Sequence, residues 1–194
     1  MHLDAYPADA APWPQAVAWS RAELRHYLAA AAGPGLGALP TRCPPWTVRD
    51  LTVHLAETFR RYADLLARGR AGDLAPPFAP GSLPAENQRA VDAFGGGDPA
   101  GALRHEAERF LGAVADPAEM MPHQFGPIPV GLQVMFGLNE LAVHHDDLAR
   151  ATGRSRRPER PVVTALAAMY GAVYGLPGDV GDDPWERLLR ATGR

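Results

Sequence analysis

The sequence predicts an all-α protein whose core is an antiparallel helical bundle. Alanine- and leucine-rich stretches carry apolar residues every three or four positions, and clusters of glycine and proline separate them. No stretch alternates apolar and polar residues over the length of a strand. The 194 residues suffice for one domain with a sizeable core and are few for two. We therefore expect a single domain over residues 1–194, with a bundle core at about 14–153 and a helical extension at about 154–194.

Five longer helices and two short ones account for the segments between the glycine and proline clusters. In chain order they are predicted at 14–32, 47–68, 84–93, 98–115, 129–152, 158–174 and 183–191. The connection from Gly69 to Pro84 is long for a loop in a bundle. Such a connection either crosses the length of the bundle or covers a site.

The helix at 47–68 has the most complete set of local signals. Thr47 followed by Asp50 resembles a capping box, with aspartate in place of the preferred glutamate. An apolar stripe then recurs at helical spacing, which predicts one buried face. Its members are Leu51, Leu55, Phe59, Tyr62 and Leu66.

The helix at 129–152 is apolar on nearly every side in its first half. This pattern is typical of a central helix that is covered all round. Its apolar residues there are Val130, Leu132, Val134, Met135, Phe136 and Leu138. Gly153 follows directly and is a natural residue to end the helix.

Composition excludes several classes of function. All 19 basic residues are arginine, so neither a lysine Schiff base nor a Walker-type phosphate loop can form. A formal net charge of −3 gives no electrostatic reason to expect nucleic-acid binding. With a single cysteine, Cys43, a disulfide within the chain is excluded. No secretory signal or membrane-spanning run is recognisable, so we expect a cytoplasmic protein without a membrane partner.

Glu140 and His144 form a polar pair within the central helix. They are four residues apart and so share one helix face. Burying such groups without partners costs several kcal/mol, so something must satisfy them. A divalent metal is one candidate, because bundle interiors are known to hold metal sites. Gly137, one turn earlier, leaves space for a ligand or for another helix.

His54 lies near the apolar stripe of its own helix and supplies a third donor if the two helices face each other. Histidine and glutamate ligands suit zinc with one open position, although nickel or ferrous iron would also accept them. Asp147, near His144, and Glu57, near His54, are candidates to accept the second ring N–H of each histidine.

Other interpretations of the same residues remain open at this point. His145 is a rival ligand on the neighbouring helix face, and the polar pair could instead belong to a hydrogen-bonded network or a dimer seam. Cys43 fits best as a small buried residue. The other histidines look like surface or loop positions, and His123 alone lies in a plausible flap. They are His2, His26, His105 and His123.

Two segments and one isolated residue resemble a known family. Residues 46–55, WTVRDLTVHL, resemble the first signature of the N-terminal domain of mycothiol-dependent maleylpyruvate isomerases. Residues 140–153, ELAVHHDDLARATG, resemble the second, a Glu-x-x-x-His followed three residues later by Asp. Asn87 fits the family pattern between them. The resemblance covers about residues 14–153 in order and spacing.

This resemblance implies a DinB-like four-helix bundle with a long crossover between its second and third helices. It implies metal ligation by His54, Glu140 and His144, and use of a low-molecular-weight thiol such as mycothiol. The expected activity is that of a metal-dependent isomerase or S-transferase, with zinc as the first candidate metal, acting on a small electrophilic substrate. The alternative is a non-catalytic bundle with a structural or vestigial metal site. A homodimer is a candidate assembly, and Arg60, Arg89 and Arg104 are unranked candidates to bind an acidic substrate.

Overall fold

The computed structural model describes residues 14–175 and 183–194, and these residues confirm the all-α fold. They form seven α-helices and one hairpin of two short strands. In chain order these are α1 Gln15–Ala31, α2 Val48–Arg70, α3 Leu83–Ala93, α4 Pro99–Ala113, β1 Met120–Met121, β2 Ile128–Pro129, α5 Val130–Ala151, α6 Arg160–Tyr174 and α7 Pro184–Ala191. A 3₁₀ turn at Leu36–Ala38 lies between α1 and α2. None of the described helices is long and apolar enough to cross a membrane.

Helices α1, α2, α4 and α5 form the four-helix bundle. The most extensive contacts join α2 to α4 and α1 to α5. The connection from α2 to α4 contains α3, which packs against α2. Helices α6 and α7 pack against each other, and α6 also contacts α5.

Helix α2 begins with the capping box that the sequence predicts. The Thr47 backbone N–H donates to Asp50 Oδ2 at 3.0 Å, and the Asp50 backbone N–H donates to Thr47 Oγ1 at 3.3 Å. The cap satisfies two donors at the start of the helix that would otherwise lack partners. Four members of the predicted stripe are fully buried, and Tyr62 is half-buried.

Helix α5 is the most deeply covered element of the described structure. From Val130 to Ala149 every residue is buried except Glu140. The hairpin fixes the start of this helix, because the Val130 N–H donates to the Glu119 carbonyl at 2.8 Å. The polar residues of α5 are therefore withdrawn from water and need partners within the protein.

Gly137 allows α2 to approach α5 closely. A Cβ atom at Gly137 would lie 3.1 Å from Phe59 Cε1 and 3.7 Å from Tyr62 Cε2. Helix α2 therefore fills the space beside Gly137. The sequence left open whether a ligand or another helix would lie there, and the structure shows a helix. The close approach brings His54 on α2 near the polar face of α5.

Gly69 has a comparable role where α2 meets the hairpin. A Cβ atom there would lie 2.7 Å from the Met120 carbonyl oxygen. We expect Gly69→Ala to lower the free energy of unfolding by about 1–3 kcal/mol, since the added methyl must displace backbone. Urea denaturation measures this change.

Gly112→Ala is the matched control. Gly112 lies in α4, and no described neighbour would come within 4 Å of its Cβ. This change should leave stability unchanged or raise it by up to about 1 kcal/mol through helix propensity. Equal destabilisation by both variants would contradict the packing explanation.

Candidate metal centre

Three of the sequence-predicted side chains meet between α2 and α5. His54 comes from α2, and Glu140 and His144 come from successive turns of α5. Glu140 Oε2 lies 3.4 Å from His54 Nε2 and 3.3 Å from His144 Nε2. The three candidate donor atoms all lie within 4.8 Å of one another. The imidazole rings are nearly perpendicular, with centroids 5.1 Å apart.

This donor set fits a divalent metal ion. Two imidazoles and one carboxylate are a ligand combination found at zinc sites that keep an open position. His54 and His144 are 6% and 5% exposed, whereas the Glu140 side chain is 31% exposed. The cluster is thus enclosed on its histidine sides and open at the carboxylate.

The three groups differ in protonation when only protein surrounds them. Burial lowers the pKa of His54, which favours its neutral form. Burial also opposes charge on His144, but hydrogen bonds to Asp147, Cys43 and Glu140 outweigh it and raise the pKa of His144 well above its ordinary value. Burial raises the pKa of Glu140, but hydrogen bonds from His144 and His54 lower it by more. Its pKa therefore lies below the ordinary value. The protein alone therefore favours a positively charged His144 beside the ionised Glu140.

Asp147 contacts the far side of the His144 ring. Its Oδ2 lies 3.0 Å from His144 Nδ1, so Nδ1–H donates to it and Nε2 faces Glu140. The Asp147 side chain is fully buried. A carboxylate held against one ring nitrogen fixes the orientation of the ring and makes the other nitrogen a better ligand.

A second group of potential ligands, namely Cys43, His144 and Asp147, lies on that far side. Arg194 fills it: its Nη2 donates to Asp147 Oδ2 at 2.9 Å and to Cys43 Sγ at 3.1 Å. Cys43 Sγ–H in turn donates to Asp147 Oδ2 at 3.2 Å. Because the guanidinium already supplies positive charge here, the second group functions as an anchor for Asp147. Nothing in the sequence indicated Arg194, which is 47 residues from Asp147.

Two sequence-based assignments find other partners. Glu57 Oε2 accepts from Arg60 Nε at 2.8 Å, and no described contact joins it to His54. The His54 ring lies against Trp46 instead, with ring centroids 4.7 Å apart. His145 lies on the α1 side of α5, where its Nδ1 is 3.3 Å from Glu23 Oε2. The rival ligand therefore belongs to a separate ion-pair network.

The other described histidines do not belong to this group of three donors, although His123 lines a pocket beside it. His26 is exposed beside Glu23 and Arg156, and His105 is exposed on α4. His123 stacks on Phe136 with ring centroids 5.6 Å apart, and burial lowers its pKa to about 4. His2 lies outside the described residues.

A pocket of about 140 Å³ opens beside His54 and Glu140. Apolar and aromatic side chains form much of its wall, among them Leu65, Phe78, Phe136, Tyr170 and Tyr174. Two further wall residues, Gln133 and Asn139, have buried amide oxygens without hydrogen-bond donors among the described residues. We call His54, Glu140 and His144 the triad. A wider cavity on the other side of the triad is bordered by His144, Cys43 and Arg194. The triad therefore lies between two spaces that a small molecule could enter.

Comparison with known proteins gives a family. Residues 17–149 match the model of the mycothiol maleylpyruvate isomerase N-terminal domain. The chain belongs to this family. The match contains the triad, Asp147 and the whole of the four-helix bundle except its ends. No curated protein matches the chain.

Two solved structures share the fold of this family member. One is a crystal structure of the mycothiol-dependent maleylpyruvate isomerase, and the other is a histidine-to-alanine mutant of it. Each superimposes on this protein with a TM-score of 0.62. The superposition covers 87% of this chain and 71% of the solved chain in both cases. Sequence identity is 14% and 13%, so the likeness concerns the fold.

The Arg194–Asp147 contact can be tested by a double-mutant cycle. We expect Arg194→Met to lower the free energy of unfolding by about 1–3 kcal/mol, because a buried carboxylate loses a charged donor. In the Asp147→Asn background the same change should cost much less, since the charge is gone. Urea denaturation of the four proteins gives the coupling energy. Equal costs in the two backgrounds would contradict the anchoring role.

Proposed function

We propose that this protein is a metal-dependent enzyme that uses a low-molecular-weight thiol to isomerise or substitute a small electrophilic substrate. The observation that carries the proposal is the convergence of His54, Glu140 and His144 within 4.8 Å at the edge of a pocket. Membership of the mycothiol maleylpyruvate isomerase N-terminal domain family supports the same activity and makes mycothiol the first thiol to test.

In this proposal His54, Glu140 and His144 hold the metal, with zinc as the first candidate. When bound, a divalent metal stabilises a coordinated thiol as thiolate, which is the reactive nucleophile. Asp147 holds the His144 ring so that Nε2 points at the site, and Arg194 holds Asp147. Trp46 covers the His54 ring and limits its rotation.

The reaction that fits the pocket starts with attack of the thiolate on an electrophilic carbon. In an isomerisation the sulfur adds to one carbon of a double bond, the adduct rotates about the resulting single bond, and the sulfur leaves again. In a substitution the new C–S bond stays and a leaving group departs with its electron pair. Apolar and aromatic side chains in the pocket wall would reduce the hydration of a thiolate held there, which increases its reactivity.

A structural metal site is the second candidate function. It is favoured by the near-complete burial of both histidines, because a cation there would link α2 to α5. Against it stands the 31% exposure of the Glu140 side chain toward a pocket. Structural zinc sites are usually closed by four protein ligands, and this site offers three.

Metal content tests the ligand assignment. Protein purified without a histidine tag should contain about one zinc, nickel or iron per chain, and His144→Ala should lose most of it. His105→Ala is the matched control, because His105 is exposed on α4 and far from the triad in sequence. Elemental analysis makes the measurement. Metal content that is negligible, or equal in all three proteins, would exclude the site.

Turnover tests the chemistry. Metal-loaded protein should convert maleylpyruvate, or another activated alkene or halide, only when mycothiol is present. Glu140→Gln should reduce the rate by at least about tenfold, because it removes a charged ligand. The assay follows substrate absorbance and thiol consumption. Full metal content, a melting temperature that falls on chelation and no turnover with any thiol would favour the structural role.

A further inference from the structure

The pocket beside the triad contains a cation without a counter-ion. Arg61 lies on α2 and is half-buried in the pocket wall. Its Nη1 donates to Asn87 Oδ1 at 2.9 Å, and its guanidinium stacks on the Phe78 ring at 4.8 Å from the centroid. Within residues 14–175 and 183–194 no carboxylate pairs with it. Burial lowers the pKa of Arg61, and the attraction of Glu57 and Glu86, which do not contact it, offsets this only in part.

The neighbouring arginines differ from Arg61 in this respect. Arg60 is exposed and pairs with Glu57 and Asp64 at 2.8 and 2.9 Å. Arg89 is exposed and pairs with Glu86. Arg104 is exposed on α4. None of the three lines the pocket, so the sequence-based candidates for binding an acidic substrate lie elsewhere.

Arg61 is oriented before any ligand arrives. Asn87 takes one of the five guanidinium N–H donors, and Phe78 covers one face of the plane, so rotation of the group is restricted. A guanidinium held in this way binds a planar carboxylate through two parallel hydrogen bonds. Asn87 and Phe78 both lie in the connection between α2 and α4, which thus contributes to the site.

The position of Arg61 relative to the triad sets the size of the ligand. His54 and Arg61 are seven residues apart on α2, which is about two turns or 10 Å along the axis. They share a helix face, and the pocket of about 140 Å³ lies between them. A cavity of this volume accommodates a molecule of about the size of benzene.

We propose that Arg61 is a specificity-determining residue, which binds a carboxylate of the electrophilic substrate while the reactive carbon lies near His54 and Glu140. This inference rests on the proposed function. The Arg61 guanidinium selects an anionic group, and the apolar and aromatic side chains in the pocket wall contact the rest of the molecule. A neutral substrate would leave the guanidinium desolvated and unpaired, which costs binding free energy.

Binding of a small aromatic acid tests the proposal without any turnover. The probe is 4-fluorobenzoate, followed by ¹⁹F NMR, and 4-fluorobenzamide is its neutral counterpart. Zinc-loaded and chelator-treated protein are both titrated, because a carboxylate can also bind a metal directly. The variants are Arg61→Gln and the matched control Arg60→Gln, with urea denaturation to verify that each is folded.

We expect the wild type to bind 4-fluorobenzoate with and without zinc, and the amide at least about tenfold more weakly. Arg61→Gln should weaken binding of the acid about tenfold or more, and Arg60→Gln should change it less than about twofold. Equal binding by the wild type and Arg61→Gln would overturn the proposal. So would equal binding of acid and amide, binding that requires zinc, or no binding by the wild type. Loss of the metal site alone would overturn the proposed function and leave this result unchanged.

Discussion

The structure depends on how the protein compensates a chain of buried charges between α2 and α5. Asp147, His144 and Glu140 follow one another at hydrogen-bond distance, and His54 completes the chain from the opposite helix. Two carboxylates in this position are costly unless positive charge lies between and beside them. Arg194 supplies it at one end. At the other end Glu140 faces a pocket, so the compensation there comes from the imidazoles or from a metal ion.

The short segment before α2 connects this row of charged side chains to the fold. Thr41 Oγ1 donates to the Trp46 carbonyl at 2.8 Å and accepts from the Cys43 N–H at 3.1 Å. These bonds fix a compact turn directly before the Thr47 cap. The turn places the Cys43 thiol against Asp147 and the Trp46 ring over His54, so one local structure supports both sides of the triad. The turn that precedes α2 therefore also defines the surroundings of His54.

Local signals in the sequence predicted the helices and half of the site. Hydrophobic period and capping residues act within a few positions, so the observed helix ends differ from the predicted ones by only a few residues. The pairing of Glu140 with His144 follows from their spacing on one helix. The approach of His54 does not, because it depends on which helices are neighbours, and the family resemblance supplied that step. Arg194 and Arg61 were missed because their partners are distant in sequence or lie in the irregular connection.

That connection has a larger part in the site than its composition indicates. From the sequence, this segment rich in glycine and proline could either cross the length of the bundle or cover a site. Its helix α3, however, contributes Leu83 and Asn87 to both cavities beside the triad. Asn87 accepts a hydrogen bond from Arg61, and Gln88 accepts one from the Trp46 indole N–H at 2.9 Å, so two hydrogen bonds fix α3 beside the candidate metal centre. The bundle helices supply the candidate ligands, and the crossover supplies part of the wall of both cavities beside them.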